Sequence, residues 1–268
     1  MRLRQAIEAA AVGIRNTILG TNLASLTLLP HPERMIRYVA DNLFLFGAMN
    51  SRRALPQRNV FEVLSSDSTE TITLGSLQSG DAWFWPQALY TQDIVSLCLI
   101  CQTLKPKIVF EIGTMKGYTA YHFALNTPLN SRIYTLDLRP DPAMAASLYT
   151  SAIDDLHIQS ETRGKSYCFE NSEVAGRITC LFGDSATFDF APYFGKADFF
   201  FIDGAHSFEY ARSDTLNALK CCHPGSVIAW HDYGKASVVG VSKWLAEFSK
   251  SHHVYSIPGG SLAYMVVE

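Results

Sequence analysis

This sequence has no apolar stretch long enough to cross a bilayer; near its start Glu8 and Arg15 break the run of apolar residues. It also lacks a large excess of either charge. The formal net charge is -3, which argues against a broad nucleic-acid-binding face. Cysteine is sparse and irregular, at Cys98, Cys101, Cys168, Cys180, Cys221 and Cys222. Cys98 and Cys101 form a C-x-x-C, but apolar Leu99 and Ile100 lie between them on a helical pattern and no second pair answers. Buried thiols are expected there, not zinc ligands or a redox pair. Missing as well is the G-x-G-x-x-G turn that cradles a pyrophosphate. After Gly113 the place of the middle glycine is taken by Met115, whose side chain would crowd a diphosphate. These absences lead to the expectation of a reduced, cytoplasmic protein with no membrane or nucleic-acid partner. A chain of 268 residues, 48% hydrophobic, suffices for one large domain or a domain with a cap.

What is present is concentrated between Lys107 and Asn126. Ile108, Val109 and Phe110 form a short apolar run that ends in an acid, Glu111. A turn bearing Gly113 and Gly117 follows, then a helical pattern. Strand, turn and helix N-terminus in that order are where an open α/β sheet binds its ligand. The turn reads E-x-G-x-x-x-G. A carboxylate at the strand tip repels phosphate and attracts an ammonium group. S-adenosylmethionine (SAM) carries an ammonium and no phosphate, so it fits this turn better than NAD does.

Residues 1–80 read as a cap or an oligomer contact. Helices are expected at Met1 to Gly20 and Glu33 to Ala48, and short strands at Asn59 to Leu64 and Glu70 to Leu74. The broad apolar face of the second helix suggests a homodimer. Residues 81–268 read as the catalytic domain. Helix Gln92 to Leu104 leads into strands at Ile108 to Glu111, Ser131 to Leu138, Arg177 to Phe182, Ala197 to Asp203 and Ser226 to His231. Helices are expected at Phe208 to Cys222 and Val238 to Ser249. Two β runs, His252 to Ile257 and Leu262 to Val267, are joined by Pro258-Gly259-Gly260, a hairpin signal. Alternation of strands and helices implies a mostly parallel sheet covered on both sides. Pro140 to Gly176 is long for one connection; it should hold a helix at Pro142 to Leu156 and a polar loop that can cover the site. Trp83, Phe84, Trp85 and Tyr90 pack in a core or cap, or line an acceptor pocket.

In this order FEIGTMKGYTA, IYTLDL, LFGDS, FFFIDGAHSFEYARSD and GSVIAWHDYG resemble the class I SAM-dependent methyltransferases. More narrowly they resemble the bacterial small-molecule O-methyltransferases, which share strand-end positions with the catechol O-methyltransferase-like enzymes. The resemblance implies an α/β, Rossmann-like, seven-stranded, mostly parallel sheet with an antiparallel C-terminal hairpin and helices on both faces. Residues 1–80 would be an N-terminal α/β cap.

It also implies roles. Glu111, Gly113, Thr114 and Gly117 would hold the methionine part of SAM, where helix N–H groups suit its carboxylate. Asp137 would bind the ribose hydroxyls, and Asp184 with Ser185 the adenine. Asp203 and His206 are the catalytic candidates, Asp203 also lying beside the cofactor. Methyl transfer from a sulfonium is an in-line displacement, and a hydroxyl acceptor must lose its proton. His206 stands where the catechol-type enzymes carry a lysine and would be the base; capping of the next helix by His206 or Ser207 is the structural alternative. Asp203 and Asp232 would bind Mg²⁺. Tyr233 departs from the asparagine that completes that metal site. Without a metal, His206 and His231 would form the acid–base pair. The expected function is methyl transfer from SAM to a hydroxyl of a small molecule, a sugar or secondary metabolite. Metal-independent N- or C-methylation and non-catalytic SAM binding stay open.

Overall fold

A computed structural model describes residues 32–49, 55–64, 71–75, 88–138, 145–158, 166–235 and 238–268. Met1 to Gly20 and Trp83, Phe84 and Trp85 lie outside these, as does the side chain of Tyr90. The elements run α1 (Pro32–Met49), α2 (Val60–Leu64), α3 (Ala88–Leu104), β1 (Ile108–Ile112), α4 (Tyr118–Leu125), β2 (Arg132–Asp137), α5 (Ala152–Ile158), β3 (Ile178–Phe182) and β4 (Ala197–Ile202). They continue with α6 (Phe208–Cys221), β5 (Cys222–Trp230), α7 (Val239–Phe248), β6 (Tyr255–Ser256) and β7 (Ala263–Val266). The sheet has seven strands in the order β3-β2-β1-β4-β5-β7-β6. The first five pair in parallel; β7 runs antiparallel to β5 and to β6.

Strand side chains alternate between the two faces, and each face buries its own core. On one side Phe110, Phe200, Ile228 and Trp230 pack against α6 and α7. On the other Val109, Ile133, Phe199 and Phe201 pack against α3 and α4. The Phe110 and Phe200 rings stack 4.9 Å apart. Buried Thr215 accepts from the indole N–H of both Trp230 and Trp244, each at 2.8 Å, so neither donor is left unsatisfied. Cys98 and Cys101 are buried and unpaired, as expected, and burial pushes the Cys98 thiol up to about 12.

Three expected elements differ. Asn59 to Leu64 is not a strand: Val60–Leu64 is helical. Val60, Val63 and Leu64, spaced i, i+3, i+4, turn toward the core, while Phe61 and Glu62 stay exposed. Residues 71–75, the described part of Glu70 to Leu74, form no strand either. Thr73 is held instead by Asn126, whose side chain accepts from its N–H and donates to its C=O, both at 2.7 Å. Finally, 145–151 is irregular and α5 begins only at Ala152. Leu55 and Val60 are buried in the two cores, and Gln57 bridges to Ser256, so residues 55–60 are built into the sheet's end.

Candidate active site

At the carboxyl ends of β1, β2, β3 and β4 lies a cavity of about 210 Å³. Gly113, Asp137, Asp184, Ser185, Asp203, His206 and Asp232 all line it; so do Met115, Lys116, Asp154, Tyr210 and Lys235. Gly113 has φ +102, and a Cβ there would lie 2.0 Å from the Asp203 carbonyl oxygen. Only glycine lets the turn pass so close to the end of β4. Asp137 accepts from the Met115 N–H (3.0 Å) and the Leu138 N–H (2.8 Å). Asp184 accepts from the Ser147 N–H (2.7 Å), the Ala186 N–H (3.0 Å) and the Tyr210 hydroxyl (2.9 Å). Although burial opposes it, these bonds hold the Asp184 carboxyl below the usual range.

Glu111, Thr114 and Gly117 do not line the cavity; they brace the turn from behind. Thr135 donates to Glu111, and its own hydroxyl oxygen lies 2.6 Å from that of Thr114. Glu111 is 1% exposed. Burial, with Asp203 and Asp137 nearby, pushes its carboxyl well up.

His206 is clamped between two carboxylates. Its Nδ1 lies 2.6 Å from Asp154 Oδ1 and its Nε2 2.7 Å from Asp232 Oδ2. The same Asp154 oxygen accepts the His206 backbone N–H at 2.9 Å. Burial pulls the imidazole pKa down, but Asp154 and Asp232 outweigh it and hold the pKa at about 10. Ser207, not His206, caps α6 by accepting from the Tyr210 N–H. The ring is therefore left to the cavity.

Adjacent strand residues point to opposite faces, yet His231 and Asp232 meet. Asp232 lies past the end of β5 at φ +63, and this left-handed residue supplies the turn. His231 itself lies outside the cavity lining, behind the two carboxylates. Its Nδ1 is 3.0 Å from Asp203 Oδ1 and 3.1 Å from Asp232 Oδ1. Against burial, Asp203 and Asp232 keep this imidazole well above its ordinary pKa. Lys235 Nζ sits 2.6 Å from Asp232 Oδ1. Despite burial, His231 and His206 hold the Asp232 carboxyl well below the usual range.

Asp203, His206 and Asp232 each offer a ligand atom, all within 4.8 Å of one another. Two carboxylates and an imidazole suit a divalent cation. Tyr233 is no ligand: its hydroxyl accepts from the Leu55 N–H at 2.9 Å, on the core side.

Asp154 and Lys235 were not anticipated from the sequence. For Asp154 a signal exists. Ser151-x-x-Asp154 is a capping pattern, and the Ser151 N–H does bond Asp154 at 2.7 Å while the Asp154 N–H bonds the Ser151 hydroxyl at 3.2 Å.

Residues 110–233 match the family model of a methyltransferase domain. No curated protein matches the chain significantly. Among solved structures, the chain is similar to the O-methyltransferase TomG of Streptomyces achromogenes (19% identity over 66% of this chain and 80% of that one, TM-score 0.44). It is also similar to an O-methyltransferase of Bacillus cereus (17%, 95% and 99%, 0.44) and to a methyltransferase of Podospora anserina (17%, 66% and 78%, 0.48). The family match identifies a methyltransferase domain at residues 110–233, which spans the seven-stranded sheet from β1 to the end of β5 and carries the cavity-lining acids.

Proposed function

We propose that the protein moves the methyl group of SAM to a hydroxyl of a small molecule, a sugar or a secondary metabolite. The observation that supports this most is the convergence of Asp203, His206 and Asp232 on the cavity that Gly113, Asp137 and Asp184 also line. Asp137 takes the ribose, Asp184 and Ser185 take the adenine, and the Gly113 turn takes the methionine part. Glu111, Thr114 and Gly117 serve by holding that turn in place.

The acceptor oxygen attacks the methyl carbon in line, the sulfonium leaves as a neutral thioether, and His206 Nε2 takes the hydroxyl proton. Asp154 fixes the ring so that Nε2 faces the cavity. With its pKa held at about 10 the resting ring carries protons on both nitrogens, so the Nε2 proton must first pass to solvent through the cavity before Nε2 can take the acceptor's. His231 completes the acid–base array from behind. Asp203 and Asp232, with the His206 ring within reach, would hold Mg²⁺ or a related ion, which would stabilise the developing oxyanion.

A second reading is metal-independent transfer. It is favoured by Lys235, whose ammonium already meets the Asp232 carboxylate. With or without a metal, the proposal takes the enzyme as cytoplasmic, without membrane or nucleic-acid partner, with residues 1–80 as an appended cap and 81–268 as the catalytic part. It takes α1 as a homodimer contact, where Ile36, Val39 and Leu43 are exposed. Methyl transfer from labelled SAM to a panel of hydroxylated sugars and phenols tests the proposal. Full activity in both Asp203→Ala and His206→Ala would reject the roles given to them.

A further inference from the structure

Behind the cavity lies a buried array of which the reaction above uses only His231. His231 Nε2, on the ring edge away from the cavity, lies 3.2 Å from Asp93 Oδ2. Asp93 belongs to α3, is 1% exposed and does not reach the cavity. The hairpin turn between β6 and β7 holds it from the far side. The Ser261 N–H donates to Asp93 Oδ1 at 2.9 Å and the Ser261 hydroxyl to Oδ2 at 2.8 Å. Gly260 is pressed so close that a Cβ there would lie 2.2 Å from Asp93 Oδ1.

We propose that Asp93 is a positioning residue for the methyl-transfer site, acting through His231. This rests on the methyltransferase reading of the cavity. An unanchored imidazole can swing about its Cβ–Cγ bond. The His231 ring is hydrogen-bonded at Nε2, with Asp93 at 3.2 Å and the Ser261 hydroxyl at 3.3 Å, and the Asp93 carboxylate is the charged partner that fixes the ring plane and the direction of Nδ1. Nδ1 faces one oxygen from each of two carboxylates, Asp203 after β4 and Asp232 after β5. Like charges on neighbouring strand ends repel, so a ring edge lying 3.0 Å from one and 3.1 Å from the other, without hydrogen-bond geometry to either, bears on their separation. The chain of contacts thus runs from a hairpin turn, through Asp93 and His231, to both acids that face the cofactor. Asp93 touches neither the cofactor nor the acceptor; it decides where the acids stand.

The test needs no knowledge of the acceptor. SAM is a cation at sulfur and its demethylated product, S-adenosylhomocysteine, is neutral there, so the ratio of their affinities reports where the cavity acids lie. Asp93→Asn keeps the side chain's size and an acceptor for the Ser261 N–H but removes the carboxylate from Nε2. The ring signals of His231 are read in protein labelled with ¹⁵N-histidine and assigned by their loss in His231→Gln. In folded Asp93→Asn, both His231 ring signals should move. The SAM-to-product affinity ratio, by calorimetry, should change by about threefold or more while the product's affinity stays within about twofold. A purely structural role would lower the melting temperature and both affinities together. Unchanged ring signals, or an unchanged ratio, would overturn the proposal. Should Asp93→Asn not fold, Gly260→Ala displaces the same carboxylate and is read by the same two outcomes. A parent protein that binds neither compound would refute the cofactor reading instead, and the ring signals would still decide the role of Asp93.

Discussion

His206 Nε2 lies 2.7 Å from Asp232 Oδ2, which joins the loop after β4 to the loop after β5 directly over the cavity. Substituting His206→Gln keeps a polar side chain there but removes the proton acceptor. Methyl transfer should fall by about a hundredfold or more, with SAM affinity nearly unchanged. Initial rates at saturating SAM, beside calorimetric binding, check this.

The same clamp predicts how stability depends on pH. The His206 pKa is raised in the folded protein from the ordinary 6.5 to about 10. Its contribution is complete below the unfolded value and is lost as pH rises through about 10. On the acid side, Asp154 and Asp232 are held below the usual 3.8, so their contribution is present above that value and disappears as pH falls through their folded pKa values. Thermal melts across the range should show both flanks, and His206→Gln should flatten the alkaline one.

Gly113→Ala should be costly on two grounds, a left-handed φ and the contact with the Asp203 carbonyl. A loss of about 1–3 kcal/mol in stability is expected, together with loss of SAM binding. Urea unfolding and calorimetry measure the two separately.

Thr215→Val preserves shape but leaves two buried indole N–H groups without their acceptor. A destabilisation of about 2–4 kcal/mol is expected, with no effect on SAM affinity. Denaturant midpoints decide it.

Stripping divalent cations with a chelator should lower methyl transfer about tenfold or more, and added Mg²⁺ should restore it. Undiminished turnover in the chelator would favour the metal-independent reading in which Lys235 serves Asp232.

The sheet was readable because its strands are apolar runs with an acid at or beside the end: Glu111 is the last but one of β1, Asp137 the last of β2, and Asp203 follows β4. Asp137 and Asp203 are also why part of the cavity's rim could be named from sequence. Asn59 to Leu64 misleads because its residues alternate enough to suggest a strand, whereas burial follows the helical spacing of Val60, Val63 and Leu64. Asp93 and Asp154 could not be joined to the site by motif. Asp93 precedes strand one on a helix, Asp154 lies in a long connection, and only the fold brings each to a histidine. The placing of Glu111 follows from strand alternation. It faces Thr135 on the α3 and α4 side, while its neighbour Ile112 lines the cavity.

Ser147 already donates twice to Asp184, through its backbone and its hydroxyl. Under the adenine role proposed for Asp184, a base that reaches this carboxylate meets oxygens already engaged by Ser147, Ala186 and Tyr210.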